Sequence, residues 1–106
     1  MDQRRKSQIR KPKVRYFDWR RFKPSMVLKR EGQPYLVEEF TTYHDRLAEL
    51  LQHEESYVVI KGQTCTILPD RDTAIEYSLK HYWPEHALVK QIVAKEPIES
   101  LGGAVL

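Results

Sequence analysis

The chain has 106 residues, 41% hydrophobic and 31% charged, which fits one domain whose stability is marginal once an N-terminal arm is set aside. Its net charge of +3 conceals two opposite parts: residues 1–30 carry twelve Lys and Arg against Asp2 and Asp18, a charge of +10, while residues 31–106 carry six against thirteen Asp and Glu, a charge of −7. A single cysteine excludes an internal disulfide and a multi-cysteine zinc site, and no run approaches the roughly 20 apolar residues of a membrane span, so the expectation is a cytoplasmic protein without membrane contact.

Residues 1–34 read as a basic, aromatic-containing arm and linker. Met1 to Lys13 holds almost nothing apolar beyond Ile9 and carries Pro12, too little to offset the entropy of ordering, and the segment is expected to be disordered alone. Arg4, Arg5, Lys6, Arg10, Lys11 and Lys13, together with Arg15, have the density expected of a polyanion binder, because each neutralised phosphate releases condensed counterions. The competing partner is an acidic protein surface, the chain's own included. Tyr16-Phe17-Asp18-Trp19-Arg20-Arg21-Phe22 then sets four aromatics among arginines, and the rings spread around a helical wheel, unlike a one-sided membrane helix. Two readings stand side by side: Trp19, Arg20, Arg21 and Phe22 extend the nucleic-acid site by stacking on bases, or the rings pack onto the domain's own sheet and tie the arm down. Pro24, Gly32 and Pro34 punctuate a linker with a short extended piece at Met26-Val27-Leu28.

Residues 35–97 read as an α-β-β-α-β domain, followed by a flexible tail over 98–106. Phe40, Tyr43, Leu47, Leu50 and Leu51 recur at three- and four-residue steps and predict one helix from Leu36 to His53. Tyr57-Val58-Val59-Ile60-Lys61 is the most apolar run and predicts a central strand, Gly62-Gln63 a hairpin turn, and Thr64 to Leu68 a second strand. Asp72 is the expected N-cap of a helix reaching Tyr82, with Glu76 near a capping-box position and Pro84 as its stop. Ala87 to Val93 completes the pattern. The expected fold is therefore α+β: one three-stranded sheet in the order 2-1-3, with both helices on one face. Val59 and Val89 would then lie exposed on the opposite face, and Lys90 would guard the third strand's free edge, so these three residues are the expected protein interface.

No catalytic, metal or cofactor site is assigned. Cys65 reads as a small buried hydrophobe with no histidine nearby in sequence to activate it. His44, His53, His81 and His86 lack compact ligand spacing, and Asp70 and Asp72 read as capping residues.

Tyr57 to Gly62, the Asp72-Thr73-Ala74 helix start, the helix through Tyr77 and Tyr82, and Leu88-Val89-Lys90-Gln91-Ile92 together resemble a group of small bacterial α/β domains of unknown function. The similarity spans about Phe40 to Pro97, with helix, hairpin, helix and strand in that order. This chain departs from the pattern at Trp83-Pro84, where the group has a glycine. The resemblance implies the fold, supplies no catalytic residue, and leaves the basic arm outside.

The functional expectation is a non-enzymatic binding or assembly component whose arm contacts nucleic acid within a larger complex. The alternative is a protein-interaction or oligomeric assembly subunit that uses the sheet face or edge, without nucleic acid. An enzyme would need a cleft with converging polar groups, and no motif of the sequence supplies one.

Overall fold

Short extended segments far apart in sequence pair with each other near the two ends of the described residues. The computed structural model describes residues 14–27 and 36–98. Tyr16–Asp18 (β1) leads into a 3-10 turn at Trp19–Arg21, which Asp18 caps by accepting from the Arg20 amide, and a second 3-10 turn follows at Pro24–Met26. Val37–Asp45 (α1) and Leu47–Leu50 (α2) are separated by Arg46, whose φ of −106° and ψ of 15° leave the helical region, and Leu51–His53 continues as 3-10. The single helix expected from Leu36 to His53 is thus broken, and the break lets Phe40 and Tyr43 on α1 and Leu47 and Leu50 on α2 all reach the core.

Tyr57–Lys61 (β2) and Thr64–Leu68 (β3) form an antiparallel hairpin about Gly62-Gln63. Gly62 takes a φ of +60°, a left-handed conformation that glycine adopts without the Cβ penalty other residues meet. Helix α1 locks this turn from the side: the Gly62 amide donates to Glu39 Oε2 at 2.6 Å, and Thr42 Oγ1 donates to the Gly62 carbonyl at 2.8 Å. Arg71–Tyr82 (α3) starts at Asp70, whose side chain accepts from the Thr73 amide at 2.8 Å. The cap is therefore Asp70 and not Asp72, because Asp70 alone is extended, at φ −149°, and so turns its carboxylate back over the free first-turn amides. Leu88–Gln91 (β4) lies antiparallel to β2 on its other side, in the order β3-β2-β4.

The expectation of a single sheet is corrected by a second one. Lys95–Pro97 (β5) pairs antiparallel with β1, in the register Tyr16 with Pro97, Phe17 with Glu96 and Asp18 with Lys95. Hydrogen bonds from the Trp19 amide to the Ala94 carbonyl and from the Ile98 amide to the Arg15 carbonyl, each 2.8 Å, extend this ribbon at both ends. The class is α+β, with the segment around Trp19 inside the folded body.

The two helical layers also fall on opposite faces of the three-stranded sheet, not on one. Strand alternation sends Val58 and Ile60, with their partners Ile67, Cys65, Leu88 and Lys90, toward the main core. Val59 points the other way, with its partners Thr66 and Val89. Helix α3 covers that second face: it packs across β2, β3 and β4, buries Ala74 and Val59 completely, and brings the Tyr77 hydroxyl to 3.4 Å from Thr66 Oγ1. A strand apolar on both faces needs cover on both, which the unbroken Val58-Val59-Ile60 run already requires.

Candidate functional site

The chemistry of the interior converges on Trp19. Its ring is fully buried and is ringed by Phe17 at 4.9 Å, Tyr43 at 5.0 Å, Phe22 at 5.6 Å and Phe40 at 5.7 Å between centroids. Removing such a ring to alanine costs about 3–5 kcal/mol, a large part of the roughly 5–15 kcal/mol that holds a small domain together. The expected stacking of Trp19 and Phe22 on bases is corrected accordingly: both rings are core, at 0% and 3% exposure, and have no face to offer a ligand. Packing onto the domain is the reading that the geometry supports.

Beside Trp19 sits a charge. Lys90 is expected from its place on an edge strand to reach solvent, yet its side chain is 8% exposed and points into the core. Its ammonium lies 2.9 Å from Glu96 Oε1, 4.1 Å from the Tyr43 ring centroid and 5.0 Å from that of Trp19, and it also donates to the Gln91 carbonyl. Glu96 accepts from the Trp19 indole Nε1–H at 2.6 Å as well. Burial lowers the Lys90 pKa below the ordinary lysine value, with the Glu96 carboxylate opposing it. With its donors engaged by Glu96 and the Gln91 carbonyl and its charge held between two rings, Lys90 acts as a clamp that ties β4 to β5 and both to the Trp19 cluster. Its expected role as an exposed interface residue is corrected, and the same holds for Val59, which is fully buried under α3; Val89 is half-buried on that covered face.

The exposed cations lie on the other side of the same segment. Arg15, Arg21 and Lys23 are exposed and form no salt bridge with any described residue. Arg20 is different: its Nε and Nη2 donate to Asp18 Oδ1 and Oδ2, each at 3.0 Å, and this fork holds the Asp18 carboxyl down to about 2. Arg20 is thus largely spent on its neighbour. Tyr16, Asp18, Arg21, Met26 and Lys95 line an open cleft of about 440 Å³. Arg4, Arg5, Lys6, Arg10, Lys11 and Lys13 lie outside the described residues.

Elsewhere, Cys65 is half-buried near Arg46, and burial raises its pKa, which favours the unreactive thiol. His44 lies with Nδ1 2.8 Å from the Trp19 carbonyl, a contact that places its proton on Nδ1 as donor. Among the described residues no group of three His, Cys, Asp or Glu is placed to hold a metal, and no helix is long and apolar enough to cross a membrane.

Neither a protein-family model, nor a curated protein, nor a solved structure matches this chain. What the site can do therefore rests on its own geometry. Sequence reasoning did not single out Lys95 and Tyr16, which line the open cleft; what hid Lys95 was the absence of any apolar period over Lys95-Glu96-Pro97 to mark it as a strand facing β1.

Proposed function

We propose that this chain is a non-enzymatic nucleic-acid-binding component of a larger assembly, acting in the cytoplasm. Its basic segment neutralises phosphates, while Trp19 and Phe22 anchor that segment's carboxyl end in the core. The observation that carries the reading is the division of labour between Arg15 and Lys23: every ring except Tyr16 turns inward, while Arg15, Arg21 and Lys23 stay exposed and without a salt bridge to a described residue. Cations that are displayed and left uncompensated on a rigid base are what a phosphate backbone requires, and their charge is continuous in sequence with that of residues 4–13.

The test is a salt titration of binding to an oligonucleotide. Replacing Arg4, Arg5, Lys6, Arg10, Lys11 and Lys13 with Gln is expected to flatten the slope of log affinity against log salt by about 0.7–0.9 for each phosphate that is no longer neutralised. Affinity that ignores salt, or an unchanged slope in the variant, overturns the reading.

A further inference from the structure

Two clefts adjoin along β5 and share Lys95 as the ridge between them. The first, of about 440 Å³, is bounded by Tyr16 and Arg21; the second, of about 400 Å³, runs beside the outer edge of β4 and is bounded by Tyr57, Arg71 and Gln91. Each cleft contains one carboxylate, and each carboxylate is already engaged by a cation of the chain itself. Asp18 is held by the Arg20 fork, and Glu96 by Lys90 and the Trp19 indole. Arg21, Lys95 and Arg71 form no salt bridge with any described residue, so the charge facing outward along the pair of clefts is positive. Tyr16 stands 60% exposed at the first cleft, and half-buried Tyr57 lines the second.

We infer that the partner is a single-stranded nucleic acid laid across both clefts, with its backbone at Lys95 and one base reaching each cleft, at Tyr16 on one side and Tyr57 on the other. This rests on the nucleic-acid reading above and names the class of partner. A single strand presents free base faces for such rings, with a cationic groove tracking its backbone; a duplex keeps its bases stacked inside and offers only phosphates. An acidic peptide would satisfy the three cations and leave the exposed Tyr16 face unused. Each cleft lies toward the lower end of the roughly 300–1,000 Å³ usual for small-molecule sites, room enough for one base.

The experiment measures fluorescence anisotropy of the full chain with a labelled oligo-dT, an oligo-rU of equal length and a duplex, at one fixed salt concentration. The single strands are expected to bind roughly ten-fold or more tighter than the duplex, Tyr16→Ala to weaken them roughly ten-fold, and Lys95→Gln to weaken them several-fold. Tyr16→Phe, which keeps the ring, is expected to retain binding, and unchanged thermal midpoints for these exposed positions separate a binding loss from a folding loss. If duplex and single strand bind alike and neither substitution matters, the two-cleft inference falls while the arm-based reading survives. If polyglutamate of matching charge competes as well as oligo-dT, the surface takes any polyanion and the inference falls. Failure of every nucleic acid to bind removes both.

Discussion

Tyr43 concentrates the physics of this fold in one hydroxyl. It donates to the Val93 carbonyl at 2.7 Å and accepts from the Val93 amide at 2.9 Å, so both polar groups of a residue just past β4 are satisfied by a side chain in place of a strand. Tyr43→Phe leaves that partly buried backbone pair unmatched and is expected to destabilise the protein by about 1–3 kcal/mol, read as a lower urea midpoint at unchanged slope. Burial also raises the Tyr43 pKa far above the ordinary tyrosine value, with nearby Glu96 and Glu54 adding to it and the Val93 hydrogen bond opposing. A raised acid keeps its proton longer in the folded state. The stability it confers is therefore complete below the unfolded value, about 10, and is lost as pH rises beyond it. Alkaline titration followed by tyrosinate absorbance should show one tyrosine ionising only together with unfolding, and Tyr43→Phe should abolish that step. The same scale explains why Lys90 misled: its charge and its edge position point it to solvent, whereas alternation puts it on the core face with Leu88, and Glu96, six residues on, and two ring faces make its burial tolerable.

At the scale of elements, the hairpin was legible and its support was not. A β-branched run, a Gly-Gln turn and a Thr-rich run write β2 and β3 into neighbouring residues. That α1 clamps the turn through Glu39 and Thr42 depends on residues some 20 positions away, as in the Thr42 bond to Gly62. Gly62→Ala is expected to cost about 1–2 kcal/mol, since a Cβ meets only ordinary contact with Glu38 at 3.7 Å and the penalty comes from the φ of +60°. Equilibrium denaturation checks it, and a neutral result would mean that the turn rearranges. Helix α3 was located by its Asp-rich start and by Pro84, but not its face of the sheet. Its stripe could have lain on either side, and what placed it was the competing claim of Trp19, Phe22 and Phe40 on the other.

For the whole molecule, the decisive fact is that the segment around Trp19 is held by the segment around Glu96. The Trp19 indole reaches Glu96 across 77 positions, and β1 has no strand partner among the described residues other than β5. Deletion of residues 1–22, which removes Trp19 and Phe22 along with the basic segment, is therefore expected to abolish cooperative unfolding and expose apolar surface, measured by denaturation and dye binding; a deletion variant that still melts cooperatively would contradict this account of the core.

Sequence alone determined the charge division, the α+β class, the strand runs of the hairpin and the helix-starting and helix-stopping signals, because each is carried by residues adjacent along the chain. Only the tertiary structure decided that four aromatics beside the arginines belong to two different worlds, three rings inside and Tyr16 outside, and that a buried lysine would find its carboxylate in a strand with no apolar period. The first outcome is set by contacts between segments nearly 80 residues apart, and the second depends on the same pairing, since β1 holds in place the strand that carries Glu96; no local pattern ranks one such pairing above another.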